Sequence, residues 1–423
     1  MRLKSLFSDK EAYGSFRYIN FRRFLFSKFL LTLALQVQFV VICWHVKEIT
    51  HDPLSIGIVG LAEALPVITL ALYGGYTADR KDRRKILIAY STMIVVCSAA
   101  LLYITIKYVI PKTISTAWPY YLIMFFIGIG RAFYSPAQFS LMTQLIPREQ
   151  YANSSAWNST LWQLAVVIGS AAGGLMLGFL GSVTTYIIVL VLVVLSLIQV
   201  ILIEPHPYER LSAKEPMMES IRMGLKFVFH NQAILGAMSL DLIAVLFGGA
   251  ISMLPFFADI LHVGEKGFGL LRAAPFAGSV LMALYMTKHP PVRNAGRKLL
   301  VCVAGFSVCM ILFAISRNFY LTLFILALSG AFDNVSVVIR STIVQLFTPD
   351  KMRGRVSSVS TMFISSSNEI GAFESGLAAR LLGLIRSVIF GGGIALFSVG
   401  GAAVGLPELR KLQLNEKEVR AEK

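Results

Sequence analysis

The stretch GGYTADRKDRRK, residues 74–85, holds five cations and two acids in twelve positions. Long apolar runs press on it from both sides, in a chain of 423 residues that is 56% hydrophobic and only 15% charged. Such runs, each about 20 residues and so long enough to cross a ~30 Å hydrocarbon layer, recur throughout the chain. With 29 Phe and 33 Gly, the composition exceeds what a water-facing surface tolerates. The charge-dense stretch therefore reads as a loop between two membrane helices.

Working outward, the apolar pattern predicts spans over 21–46, 54–76, 85–107, 119–145, 153–180 and 183–204, then over 232–260, 266–287, 297–316, 318–346, 355–384 and 386–406. This defines an all-α polytopic membrane protein with twelve transmembrane helices in two six-helix bundles. The expected organisation is a bundle over 1–204, a polar linker over 205–230, a second bundle over 231–407 and a charged tail over 408–423. Twelve crossings put both termini on one side. About 28 of the Lys and Arg fall in the termini and even-numbered loops, against about 6 in the odd-numbered loops, so both termini, the linker and the 74–85 loop are expected in the cytoplasm. The first apolar run is too long for a signal peptide and lacks a small-residue cleavage site, so it is expected to remain as a span.

Several classes are disfavoured. A net charge of +16 is compatible with nucleic-acid binding, but the cations alternate between loops instead of forming one patch, as topology requires. Cys43, Cys97, Cys302 and Cys309 lie inside apolar segments with no CxxC pair, and the six His show no ligand spacing, so no metal and no cofactor are expected. No set of nucleophile, base and orienting group points to an enzyme.

The two halves echo one another. SLMTQLIPREQYANSSAWNS (140–159) and STIVQLFTPDKMRGRVSSVS (341–360) each hold Gln-Leu, a Pro beside a charged stretch and a Ser-rich helix start. Repeats of this kind typify transporters whose two halves enclose a site near the bilayer midplane. The loop itself resembles the G-x-x-x-D-R-x-x-R-R signature of the major facilitator superfamily, on Gly75, Asp79, Arg80, Arg83 and Arg84. HDPLSIGIVGLAEALPVITLALYGG, RAFYSPAQFSLMTQLIP, DLIAVLFGGAISMLPFFADIL, GLLRAAPFAGS and SSNEIGAFESGLAARLLG are similar to the drug/proton antiporter branch that includes bacterial siderophore exporters and macrolide efflux proteins. The resemblance runs from about residue 18 to residue 405. It implies export of a small amphiphilic molecule, siderophore or drug-like, by alternating access and proton antiport. It also implies a monomer in the inner membrane, with the bilayer, the cargo and protons as its partners. A lipid or metabolite carrier, possibly running inward, and a transport-inactive sensor or scaffold are the alternatives. Antiporters of this group carry G-x-x-x-G-P-x-x-G-G on the fifth span. VVIGSAAGGLMLG keeps Gly169, Gly173 and Gly174 but places Ser170 where Pro is expected.

Gly75 lies one helical turn before Asp79, and a glycine there is expected to let another helix approach. The resemblance implies that Gly75, Asp79, Arg80, Arg83 and Arg84 form a cytoplasmic latch released as the transporter cycles. Within the spans lie Glu63, Arg131, Asp241, Asp333, Arg340, Glu369 and Glu374. A charge at the bilayer centre costs roughly 2.5–3.5 kcal/mol, so these side chains must line a cavity or pair. Arg131 cannot release its proton and is expected to bind an anion or hold a carboxylate ionised. Asp241 precedes Gly248 and Gly249, which would permit unwinding beside it. Asp333 and Arg340 are seven residues apart on one helix face, and each is expected to find its partner on another helix. Proton coupling needs a carboxyl that loads and unloads as its environment changes, and Glu63, Asp241 and Glu374 are the candidates. Arg131, Asp333, Arg340 and Glu369 are candidate cavity residues. Phe39, Phe133 and Trp162, with Trp44, Trp157 and Phe247, are candidate cavity walls.

Overall fold

The computed structural model describes residues 14–109, 113, 116–147, 150–205, 217–248, 250–289, 291, 294–349 and 352–413. Described residues fall almost wholly in helices, with no strand among them. A 3-10 turn, Gly14–Arg17, leads into α1 (Ile19–Thr50) and α2 (Pro53–Arg80). These are followed by α3 (Arg83–Ile104), which ends in a π turn at Thr105–Val109, α4 (Trp118–Gln144) and α5 (Tyr151–Ile201). The second half holds α6 (Met217–His230), α7 (Gln232–Gly248), a 3-10 turn at Ala250–Met253 and α8 (Leu254–Ile260). It continues with α9 (Gly264–Lys288), α10 (Ala295–Ile315), α11 (Phe319–Phe347), α12 (Arg353–Leu382), α13 (Leu384–Gly405) and α14 (Pro407–Lys411).

Local chemistry sets the boundaries. Asp82 accepts the backbone N–H groups of Arg84 and Lys85, capping α3. Asn318 accepts from Leu321 and caps α11. The 51-residue α5 is two spans in one: Gly181 at φ 75° and ψ 168° breaks the helical path, a conformation that only glycine adopts without strain. Nine helices among the described residues are long and apolar enough to cross a membrane. They are α1, the start of α2, α3, α5, the α7–α8 run, α9, α10, α11 and α13. With α4, α12 and the division of α5 at Gly181, every span predicted from the sequence coincides with helix. The linker region is not wholly irregular, because α6 packs Leu225, Phe227 and Val228 against the second core.

The outward faces identify the solvent. Phe397, Val404, Tyr320 and Leu381 are each more than 70% exposed. Water would penalise that much apolar area, whereas acyl chains do not.

By contact the chain divides into two units: Met1–Ile49 with Ala62–Ser212, and Thr50–Leu61 with Ala213–Lys423, each taken in its described residues. The core of unit 1 gathers Phe21, Phe24, Leu87, Leu141, Met142 and Val200. The core of unit 2 gathers Val228, Ile234, Leu299, Ile343, Val356 and Leu409. Residues 50–61, including the first turns of α2, group with unit 2: Asp52 caps Leu54 and meets Arg380 at 3.3 Å.

Candidate functional site

In unit 1, α2 and α4 touch backbone to backbone. A Cβ on Gly74 would overlap the carbonyl of Ala132, and one on Gly128 would overlap the carbonyl of Glu63. That proximity brings two charged side chains together inside the span. Arg131 Nη1 donates to Glu63 Oε1 at 2.6 Å, with the arginine side chain 38% exposed and the carboxylate 16%. Pro66, one turn beyond Glu63, removes the amide that would bond the carbonyl of Ala62, loosening the helix beside the pair. Phe133 meets Tyr73 edge-on at 5.8 Å, close to Arg131 in sequence. Phe39 is half-buried on α1, and Trp162 is 48% exposed on α5. Trp44 is buried beneath Lys47, and Trp157 packs edge-on against Phe16.

Unit 2 holds a second pair across α7 and α11, between Asp241 Oδ1 and Arg340 Nη1, with the two side chains only 8% and 7% exposed. Arg340 thus finds its partner on another helix, as its distance from Asp333 required. Seven residues after Asp241, α7 ends at Gly248, and the chain resumes as a 3-10 turn and then α8 with Pro255 in its first turn. The path thus changes from α to 3-10 helix after Gly248, and Gly249 lies outside the described residues. Phe247 offers its carbonyl to the close contact with Gly391 of α13. Asp333 and Glu374 are half-buried, and neither has a hydrogen-bond or ion-pair partner among the described residues. The side chains of Asp79 and Glu369 lie outside the description.

The 74–85 loop is tied into unit 1. Arg84 Nη2 donates to the carbonyl of Ile201 at 2.6 Å, Arg83 is buried, and Arg80 stacks 4.3 Å over the Tyr76 ring. Gly74, the neighbour of Gly75, makes a close helix approach to Ala132. Gly75 itself is buried. In the fifth-span glycine pattern, Gly169 and Gly173 pack on α1 at Leu33, Gln36, Val37 and Val40. Ser170, in the place of the expected Pro, donates to Gln36 Oε1 at 3.4 Å. The four cysteines are buried and free, and no cluster of three potential metal ligands occurs among the described residues.

Residues 10–422 match the family described as transmembrane secretion effector. The chain belongs to that family. It is a transporter of the major facilitator superfamily and not an enzyme. Among curated proteins it is 24% identical, over 410 residues and 95% of both chains, to the enterobactin exporter EntS of Shigella boydii serotype 18. The counterpart in Escherichia coli O81 gives the same identity and coverage. Among solved structures, a variant of the nucleoside transporter NupG superposes with a TM-score of 0.72 at 11% identity, over 92% of this chain and 100% of that one. A bacterial homologue of the human lysosomal transporter Spinster gives a TM-score of 0.68 at 14% identity, over 96% and 97%. These two likenesses establish the fold alone.

Two cations of this transporter escaped the sequence reading. Lys28 of α1 donates to Asn158 Oδ1 at 2.8 Å, inside the span. It follows Arg22 and Arg23 so closely that it reads as one more charge at the membrane edge. Arg272 of α9 is 9% exposed, alone in GFGLLRAAPF. An isolated cation in an apolar run is the same signal that singled out Arg131, and it was there to be used.

Proposed function

We propose that the chain exports a small amphiphilic molecule, of siderophore or drug-like chemistry, by alternating access coupled to inward proton flow. In this reading it acts as a monomer in the inner membrane with both termini cytoplasmic. Bundles over 1–204 and 231–407 are joined by the 205–230 linker, and a tail over 408–423 follows. The enterobactin exporters among its relatives support a siderophore-like cargo.

The observation that carries the reading is the division of labour among three carboxyls. Glu63 and Asp241 already hold arginines, whereas half-buried Glu374 holds no partner among the described residues. A carboxylate engaged by a guanidinium must give up that bond before it takes a proton, while an unpaired one can load directly. Glu374 is therefore assigned the proton, and the accessible Arg131–Glu63 pair is assigned to cargo. Arg131 stays charged throughout and offers a planar fork to an anionic or catechol-like group. Gly75, Asp79, Arg80, Arg83 and Arg84 are assigned the cytoplasmic latch.

The test uses inverted vesicles energised to an acid interior, with a pH-sensitive dye reporting the gradient. A catecholate siderophore or an amphiphilic drug from a panel should dissipate the gradient, and a protonophore should abolish cargo accumulation. Glu374→Gln should uncouple the two while leaving cargo binding in place. Accumulation indifferent to the protonophore would remove proton coupling, and normal coupling in Glu374→Gln would move the proton elsewhere.

A further inference from the structure

Away from the paired charges, unit 1 contains a cavity of about 600 Å³ at the start of α1. Phe16, Ile19, Leu25, Phe26 and Phe29 line it from the N-terminal segment and α1, with Leu161 and Gln199 contributed by the two halves of α5. The cleft is constructed by specific contacts. Ser15 Oγ donates to Asn153 Oδ1 at 2.5 Å, and Phe16 packs edge-on against Trp157 at 4.9 Å, fastening the 3-10 turn to α5 as one wall. Arg23 Nη1 donates to the carbonyl of Leu202 at 2.5 Å. Glu204, two residues past Leu202, is engaged by Asn20 at 3.1 Å.

The polar inventory is lopsided. The walls are almost wholly apolar, and the charged lining residues are Arg22 and Arg23. The Arg23 head is committed to Leu202. The exposed guanidinium of Arg22 makes no hydrogen bond or ion pair among the described residues. Phe26 and Ile19 are 51% and 48% exposed beside it. An acyl chain alone would need no cation at the rim, and an inorganic anion would need no apolar trough. A ligand with both parts satisfies both, because a guanidinium offers a phosphate two parallel donors while the trough accepts hydrocarbon. The volume falls within the roughly 300–1,000 Å³ of small-ligand pockets.

We propose that this cleft binds one anionic phospholipid, with its phosphate on Arg22 and an acyl chain along Leu25, Phe26 and Leu161. The site is independent of the export reading and of the residues assigned to cargo and proton.

The test is native mass spectrometry of the full chain, released from micelles holding equal amounts of phosphatidylglycerol and phosphatidylethanolamine. The parent protein should retain phosphatidylglycerol about fivefold in preference, the worth of one cation at an anionic headgroup. Arg22→Ala, at an exposed position, should erase the preference without lowering the melting temperature. Leu161→Trp, which fills the trough, should reduce retention of both lipids. Lys298→Ala, an exposed cation of unit 2, should change nothing. Equal retention of the two lipids by the parent would overturn the site. So would a loss in Lys298→Ala matching that in Arg22→Ala, or unchanged retention in both Arg22→Ala and Leu161→Trp.

Discussion

The two units solve one chemical problem in opposite ways. Each holds an arginine–carboxylate pair inside its membrane helices, but Arg131 is 38% exposed and Arg340 only 7%. They also differ in depth. Arg131 lies thirteen residues before Gln144, and Arg340 only five before Gln345, the corresponding glutamine of the second half. At ~1.5 Å per residue, these are about 20 Å and about 8 Å along their respective helices. A sealed pair is committed to holding its helices together, since neither partner can leave without stranding the other in oil. A half-open pair can exchange one partner for a ligand or a proton. Similar chemistry thus gives a clamp in unit 2 and a working contact in unit 1.

The hardest blow to that contrast comes at the sealed pair. Arg340→Leu strands the Asp241 carboxylate and should cost about 3–5 kcal/mol. Out of a total stability of about 5–15 kcal/mol, that is enough to collapse the monodisperse peak in size-exclusion chromatography. Adding Asp241→Leu should restore the peak, because apolar replacement of both partners removes the stranded charge. A single variant as stable as its parent would deny the clamp.

The α2–α4 contact should respond next. Gly74→Val places carbon against the carbonyl of Ala132. Overpacking of this kind costs about 1–3 kcal/mol. Because the same contact brings Glu63 to Arg131, transport should fall along with the melting temperature. Intact transport in a destabilised Gly74→Val would separate packing from function.

Arg131→Gln should do the reverse of Arg340→Leu. Its melting temperature should stay within a few degrees of the parent, while cargo flux in inverted vesicles drops at least about tenfold, the equivalent of ~1.4 kcal/mol of lost interaction. Unfolding on the scale of Arg340→Leu would make the two pairs equivalent and erase the comparison.

The helices were legible because twenty-residue apolar runs admit few other readings, and even the Gly181 break fell between the predicted fifth and sixth spans. The charges inside the spans were legible because their cost forces a partner or a cavity. Which partner was not legible: Glu63 and Arg131 are 68 positions apart, and Asp241 and Arg340 lie on helices far apart in sequence. Only helix packing decides such pairs, here through Gly74 and Gly128. Arg22 looked like one more topology cation, because nothing local distinguishes it from Lys85 or Lys81. The cleft around it is assembled from α1 and both ends of α5.

The smallest effect tests the halves at their loops, where α3 and α10 begin in corresponding places. Asp82 caps α3 with its side chain, whereas Asn294, before α10, sits at φ 55° and makes no side-chain cap. Asp82→Ala removes a cap worth about 1 kcal/mol. It should lower the melting temperature by about 2–4 °C, as expected for a unit of this size. Asn294→Gly suits the left-handed backbone and should stay within about 0.5 kcal/mol of the parent. If Asp82→Ala instead slows turnover and leaves the melting temperature alone, then Asp82 acts on a moving contact. The 74–85 loop would then be a working part of the cycle with no equivalent before α10, and the asymmetry between the halves would extend from their ion pairs to their hinges.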